Sequence, residues 1–232
     1  MENKKMIKVL ATDVGGVVVL FKGKDSPKTL KDFAELLYYY TKVPSHIWQK
    51  SLEIAPGTLE YQFISGKITP KNFYWELRKI ANEYYRVCYK KDCAPFPKFQ
   101  LFKTMWNNIF SPNLELLIRL KELSAVYKIV LASNLDIWHF RSVTEWYKLD
   151  FVNLKESVVS CIDHLLKPDP AFFQLLIKKC GVAPSEIFFF DDIEDNCRSA
   201  ASAGIQSFRF IDNESFFKEL EKREIVKYLE SI

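Results

Sequence analysis

The chain lacks the features that mark several large classes of protein. No apolar run approaches the length needed to span a bilayer, and the basic start of the sequence is not followed by the apolar region of a signal peptide. The five cysteines are an odd number without the paired spacing of a zinc site or a disulfide framework. Neither sign of charge dominates, since 33 basic residues face 29 acidic ones. We therefore expect a cytoplasmic protein with reduced thiols that binds neither membranes nor nucleic acids.

Apolar runs alternate with helical patterns over much of the 232 residues, of which 48% are hydrophobic. Continuous apolar runs are typical of strands that are covered on both faces. The predicted strands are residues 7–13, 128–133, 157–161, 186–191 and 205–210. Helices are predicted after residue 113, at about residues 170–180 and around residues 216–220. This alternation predicts an α/β fold with a doubly wound parallel sheet.

One segment breaks the alternation. From residue 23 to residue 110 we find helical patterns interrupted by proline and glycine, without a convincing strand. Such a segment is too long for a simple connection, so we predict a helical cap at residues 23–110 inserted into a core made of residues 1–22 and 111–232. The cap is dense in aromatic residues, which are more often core than ligand-binding groups.

Acidic residues follow two of the predicted strands. Asp13 ends the first apolar run, and Asp191 and Asp192 end the run of phenylalanines at 188–190. Because the carboxyl ends of parallel strands meet at one edge of a sheet, we expect these carboxylates to converge. A cluster of carboxylates repels itself unless a cation neutralises it, and Mg²⁺ is the hard divalent ion that oxygen ligands favour.

Other polar residues suit the binding of a phosphate group at the same edge. Ser133 and Asn134 end the second predicted sheet strand, where a hydroxyl, an amide and backbone N–H groups can hold phosphate oxygens. Lys167 lies in a proline-containing segment and supplies a cation for those oxygens and for Asp13. Asp13 is then placed to attack phosphorus and form an aspartyl-phosphate.

The order of these motifs resembles that of the haloacid dehalogenase-like (HAD) hydrolase superfamily. The motifs are Asp13-Val14-Gly15-Gly16-Val17, Ser133-Asn134, Lys167-Pro168-Asp169-Pro170 and Asp191-Asp192 with Asn196. The first motif is similar to the Asp-x-Gly-Gly/Asn-Val start of a phosphatase branch that carries a helical cap. The resemblance implies a Rossmann-like core and a Mg²⁺-dependent phosphatase of small phosphate monoesters, such as sugar phosphates or nucleotides.

The resemblance also implies a role for each matching residue. Asp13 becomes the nucleophile and a metal ligand, together with the backbone carbonyl of Gly15 and with Asp192, while Asp191 holds the metal through water. Ser133 and Asn134 bind phosphate, Lys167 pairs with Asp13 and the phosphate, and Asn196 orients the site. In the cap, Tyr61 and Gln62 are candidates for substrate contact.

The sequence departs from the superfamily pattern at Gly15. Most phosphatases of the superfamily carry there an aspartate that protonates the leaving oxygen, and general acid–base help is worth roughly 10²–10⁴-fold in rate. Two alternatives therefore stay open. One is carbon–halogen hydrolysis, in which the same aspartate attacks carbon without a metal. The other is a catalytically impaired binding or regulatory protein.

Overall fold

The computed structural model describes residues 6–21 and 28–225. The strands are β1 (Val9–Thr12), β2 (Val19–Phe21), β3 (Phe110–Pro112), β4 (Lys128–Ser133), β5 (Val158–Val159), β6 (Ile187–Asp191) and β7 (Gln206–Arg209). Five of them form a parallel sheet in the order β5-β4-β1-β6-β7. The predicted fold class is confirmed. The strand predicted at 157–161 was too long, because residues 160–163 turn into a helix.

Helices cover both faces of this sheet and form the insertion after β2. They are α1 (Lys28–Thr41), α2 (Ser45–Ser51), α3 (Leu59–Ile64), α4 (Pro70–Tyr89), α5 (Phe99–Asn107), α6 (Leu114–Leu123), α7 (Ile137–Trp146), α8 (Ser160–Asp163), α9 (Pro170–Cys180), α10 (Glu194–Ser202) and α11 (Asn213–Lys222). In the described residues, no helix is long and apolar enough to cross a membrane.

The sheet is buried on both faces because successive residues of its strands enter different apolar clusters. On β1, Leu10 joins one cluster while Val9 and Ala11 join the other. On β6, Phe188 and Phe190 lie on the side of Leu10, and Phe189 lies on the opposite side. This alternation explains why the strands have continuous apolar sequences.

The insertion is built from α1 to α5, and its ends meet at a short antiparallel pair of strands. Strands β2 and β3 pair Val19 with Pro112 and Phe21 with Phe110. The sequence did not reveal this pair, because each strand has only three residues. The predicted start of the cap at residue 23 lies outside the described residues, and its end at residue 110 falls within β3. The cap boundaries therefore stay a prediction.

The aromatic residues of the cap mostly form its core, as their helical spacing predicted. Trp48, Phe63 and Phe73 are buried, and the rings of Phe63 and Phe73 stack with their centroids 4.3 Å apart. Trp138 enters this core from α7 of the sheet domain, and its ring centroid lies 5.3 Å from that of Phe63. The cap and the sheet domain therefore share one aromatic cluster.

Candidate active site

Three carboxylates meet at the carboxyl edge of the sheet. Asp13 directly follows β1, Asp191 is the last residue of β6, and Asp192 comes next. Because β1 and β6 are neighbours, with Thr12 paired to Phe190, their ends lie side by side. One carboxylate oxygen from each of the three acids lies within 4.8 Å of the others. The convergence that the sequence predicted is present in the structure.

Lys167 is the cation buried within this cluster. Its Nζ lies 2.9 Å from Oδ1 of Asp13 and also pairs with Oδ2 of Asp191. Burial alone would lower the pKa of Lys167, but the two carboxylates outweigh burial and raise it. Lys167 is therefore a fixed positive charge. A single lysine cannot balance three carboxylates, so the cluster has room for further positive charge.

Asp191 has each of its carboxylate oxygens occupied by protein donors. Oδ1 accepts from the backbone N–H of Ile193 at 2.8 Å, and Asn196 donates to both oxygens at 3.0 Å. Lys167 donates to Oδ2. Asp191 is completely buried, and these bonds hold its carboxylate in a fixed position at the end of β6. Asn196 lies where an orienting residue was predicted.

Asp192 differs from Asp191 in the partners of its carboxylate oxygens. Its Oδ1 is buried and has no hydrogen-bond partner among the residues that the structure describes. Gly16, with φ +77°, lies against the same carboxylate, and a Cβ at Gly16 would be 2.3 Å from Oδ2 of Asp192. An unpartnered buried carboxylate oxygen is costly unless another group binds it. The sequence showed Gly16 only as part of a motif, and its close approach to Asp192 is a finding of the structure.

The cluster shifts the pKa values of its acids. Burial, opposed by Lys167 and assisted by the neighbouring acids, raises the pKa of Asp13 from 3.8 to about 7. Burial and then Asp191 raise the pKa of Asp192 from 3.8 to about 6. Both shifts mean that the cluster binds positive charge readily. A hard divalent cation with oxygen ligands suits this donor set, and Asp13 and Asp192 are the acids with oxygens available for it.

The loop after β1 leaves a further oxygen available. Its backbone bonds run from Gly16 N–H to Val19 and from Val19 N–H to Val14, the latter at 2.9 Å. Within the described residues, no backbone hydrogen bond of this loop ends on the carbonyl of Gly15. The predicted role of Gly15 as a carbonyl ligand stays a prediction, and the loop geometry leaves that oxygen available.

Ser133 and Asn134 end β4 beside Asp13, but their side chains have different surroundings. The Ser133 hydroxyl is buried and has no hydrogen-bond partner among the described residues, although it lies near enough to Asp13 to oppose the rise in the pKa of Asp13. Asn134 instead binds the main chain of Lys167, accepting from its N–H at 2.8 Å and donating to its carbonyl at 2.9 Å. The Asn134 side chain therefore positions Lys167, and the predicted phosphate contact would fall to its backbone.

A cavity of about 320 Å³ opens between the cap and the segment that contains Lys167. Tyr61 lines it from α3, as predicted, together with Ile54 and Pro56. Gln62 does not line this cavity, and its side-chain amide donates to the carbonyl of Gly57 at 3.2 Å. The substrate contact of Gln62 stays a prediction, and the structure shows its amide bound within the cap.

Two histidines have defined surroundings that the sequence did not reveal. His139 is buried between Asp136 and the backbone carbonyl of Trp106, which its Nε2 approaches to 3.0 Å, so it joins α7 to the cap. His164 lines the cavity beside Lys167. The sequence offered no signal for either, since neither has a metal-ligand spacing.

Comparison with known proteins identifies relatives of the chain. The protein-family model for haloacid dehalogenase-like hydrolases matches residues 7–204. Acyl-CoA dehydrogenase family member 10 of Mus musculus is 30% identical over 166 residues, which are 69% of this chain and 14% of that protein. Flavin mononucleotide hydrolase 1 of Arabidopsis thaliana is 30% identical over 95 residues, which are 38% of this chain and 39% of that protein. The chain thus matches less than half the length of either relative.

Solved structures share the fold. A HAD family enzyme from Bacteroides thetaiotaomicron, in complex with magnesium and inorganic phosphate, has a TM-score of 0.71 at 22% identity, over 91% of this chain and 99% of that one. The L-2-haloacid dehalogenase of Xanthobacter autotrophicus, with chloropropionic acid covalently bound, has a TM-score of 0.53 at 19% identity, over 96% and 88% of the two chains. At these identities the matches concern the fold alone.

Proposed function

The chain belongs to the haloacid dehalogenase-like hydrolase family, and from that premise we propose that it is a Mg²⁺-dependent phosphatase of small phosphate monoesters. The observation that carries this proposal is the pairing of buried Asp13 with Lys167 inside a cluster of three carboxylates. A nucleophile beside a fixed cation, in a site that takes up more positive charge, suits attack on an anionic phosphate.

The residues suit a bound magnesium ion. Asp13, Asp192 and the carbonyl of Gly15 would hold it directly. Asp191, whose oxygens accept from Ile193, Asn196 and Lys167, would instead fix the position of Lys167. Support comes from the unpartnered Oδ1 of Asp192 and the raised pKa values of both Asp13 and Asp192. When bound, the ion supplies positive charge that neutralises the phosphate and orients it.

The chemistry of the chain's own residues follows from their positions. A carboxylate oxygen of Asp13 forms a bond to phosphorus while the bond from phosphorus to the leaving oxygen breaks. Water then attacks the phosphorus of the aspartyl-phosphate, which releases inorganic phosphate and regenerates the Asp13 carboxylate. Lys167 stabilises negative charge on Asp13 and on the phosphate oxygens, with Ser133 as a further donor.

Protonation of the leaving oxygen needs a donor other than residue 15, which is glycine. Water or the substrate itself supplies this proton in the proposed reaction. We therefore expect leaving groups of low pKa, such as p-nitrophenolate, to react faster than alkoxides, because they need less help from an acid.

The cavity beside the Lys167 segment, which the three carboxylates do not line, would hold the leaving group of a small substrate. Its volume of about 320 Å³ is at the lower end of the range for small-molecule sites. The relative named flavin mononucleotide hydrolase makes a nucleotide monoester one candidate, and a sugar phosphate is another.

The test is release of phosphate from p-nitrophenyl phosphate, sugar phosphates and nucleotides, with and without Mg²⁺. We expect turnover that EDTA abolishes and that Asp13→Asn removes. Asp212→Asn is the matched control, because Asp212 is an exposed residue outside the four site motifs that caps α11, and asparagine also caps helices.

Two outcomes would contradict the proposal. Metal-independent release of chloride from 2-chloropropionate, without release of phosphate from any ester, would identify a dehalogenase. Binding of Mg²⁺ and phosphate by calorimetry without turnover of any ester would identify a binding or regulatory protein that lost its activity with the acid at position 15.

A further inference from the structure

His164 has a left-handed backbone conformation, as do four other non-glycine residues of the described chain. It ends α8 with φ 59° and ψ 18°, in the left-handed region that favours glycine. Histidine is enriched several-fold among the non-glycine residues that adopt this conformation, so the backbone alone does not assign a role to His164. The contacts of its imidazole are more specific.

One ring nitrogen of His164 binds the cap. Nδ1 lies 2.8 Å from the carbonyl oxygen of Ser65, which directly follows α3. Because a carbonyl oxygen can only accept, Nδ1 carries the hydrogen of this bond. In the neutral ring, Nε2 is then an acceptor with a free lone pair. Nε2 has no hydrogen-bond partner among the residues that the structure describes.

Neighbouring contacts fix the position of this ring. Ser160, at the start of α8, donates to the carbonyl of Ile64 at 2.6 Å. Gly66 packs so closely on α8 that a Cβ there would lie 2.4 Å from the carbonyl oxygen of Cys161. These contacts hold α8 against the end of α3, the helix that also carries Tyr61. The imidazole is therefore held in place before any ligand binds.

His164 also lines the cavity beside Lys167, the residue that pairs with Asp13. His164 and Lys167 line the same cavity of about 320 Å³ as Tyr61, Ile54 and Pro56. The three carboxylates do not line this cavity, so Lys167, which pairs with Asp13 at 2.9 Å, connects the cavity to the nucleophile. The side chain of His164 is exposed, so a ligand can reach it. This wall combines apolar surface with a hydrogen-bond acceptor, which suits a ring that carries hydroxyl groups.

We propose that His164 is a specificity-determining residue whose Nε2 accepts a hydrogen bond from a hydroxyl of the substrate's leaving group. This inference rests on the proposed phosphatase function, and it narrows the substrates to phosphate monoesters of hydroxyl-bearing rings, that is, of sugars or nucleosides. The phosphate binds at Asp13 and Lys167, and the hydroxyl group binds at His164.

The test compares two substrates in wild type and in His164→Gly. Glycine suits the left-handed backbone, so this variant removes the imidazole without adding strain. We expect the kcat/KM for ribose 5-phosphate, divided by that for p-nitrophenyl phosphate, to fall about fivefold to tenfold through a higher KM, as for one lost hydrogen bond. The control is His46→Gly, which removes an exposed histidine of α2 that does not line the cavity. An unchanged ratio, or the same fall in both variants, would overturn the proposal.

A second measurement does not depend on turnover. The chain has only three histidines, so ¹⁵N-labelled histidine gives few signals, and His164→Gly assigns those of His164. We expect ribose 5-phosphate with Mg²⁺ to shift the Nε2 signal of His164 more than inorganic phosphate does. Equal shifts, or none, would contradict the role of His164 even if the enzyme is a phosphatase. A selective shift without hydrolysis would support His164 and reject the phosphatase.

Discussion

Gly16 lies so close to Asp192 that a Cβ at residue 16 would be 2.3 Å from Oδ2 of the carboxylate. The glycine thereby lets the loop after β1 pack against the loop after β6. Asp192 Oδ1 is one of two buried oxygens of the site that lack a hydrogen-bond partner among the described residues, the other being the hydroxyl of Ser133. The contact with Gly16 therefore sets the position of an acid that has capacity for a cation.

Replacing Gly16 by alanine is expected to abolish metal binding. The added methyl group must displace the carboxylate of Asp192, and the left-handed backbone adds about 1–2 kcal/mol of strain. Gly181→Ala is the matched control, because Gly181 has φ +66° but nothing within 4 Å of its added Cβ. We expect both variants to lose stability in urea denaturation. Calorimetry with Mg²⁺ should show binding only in the control and the wild type; binding by Gly16→Ala would contradict the close contact.

Removing the metal is expected to make stability depend on pH. Asp13 and Asp192 have pKa values raised from 3.8 to about 7 and about 6, mainly by burial. Folding thus favours their protonated forms, so the stability they contribute is complete below about pH 3.8 and is lost as pH rises through about 6 to 7. In EDTA, we expect Tm to fall from about pH 5 to pH 8, and Mg²⁺ to restore it at pH 8.

The Asp192→Asn variant distinguishes the contribution of Asp192 to this pH dependence from the contributions of the other acids of the protein. Without the Asp192 charge, the fall in Tm in EDTA should be smaller, and Mg²⁺ should no longer raise Tm. Asp212→Asn should behave like the wild type. A wild-type Tm that stays constant across this pH range in EDTA would mean that burial and the neighbouring acids do not disfavour the charged carboxylates as their positions imply.

Trp138 is expected to hold the cap on the sheet domain. Trp138→Ala removes a buried ring from the shared aromatic cluster, and such changes cost about 3–5 kcal/mol. Trp146→Ala on the same helix is the matched control, because 61% of Trp146 is exposed, and we expect it to cost less than about 0.5 kcal/mol. Urea denaturation measures both. Similar losses in the two variants would show that Trp138 contributes little to the junction.

Asn134 is expected to act through Lys167. Asn134→Ala removes two hydrogen bonds to the Lys167 main chain, so the lysine should lose its position beside Asp13. Each such bond contributes about 0.5–1.5 kcal/mol, and we expect kcat/KM for p-nitrophenyl phosphate to fall by about one to two orders of magnitude.

The control for Asn134 is Asn153→Ala. Asn153 also makes two bonds through its amide, to the backbone and the side chain of Glu156, and it lies away from the site motifs. Both variants should lose similar stability, but only Asn134→Ala should lose activity. Loss of activity in neither variant would mean that Lys167 stays in place without Asn134.

The sequence by itself determined the sheet and the acids at its edge. Continuous apolar runs such as Ile187–Phe190 have few alternatives to a buried strand, and a carboxylate at the end of such a run must face the sheet edge. The helices starting at Pro170 and after Asn113 were predictable for the same local reason, since proline and asparagine favour helix starts. At these positions the local sequence pattern and the burial of the residues favour the same structure.

Only the tertiary structure decided how these groups share their partners. The adjacent acids Asp191 and Asp192 look equivalent in sequence, yet one has its oxygens filled by Lys167 and Asn196, and the other keeps an unpartnered oxygen. His164 meets the carbonyl of Ser65 because the cap folds onto α8, about 100 residues away along the chain. Such contacts depend on how distant segments of the chain pack together, so the local sequence pattern does not predict them.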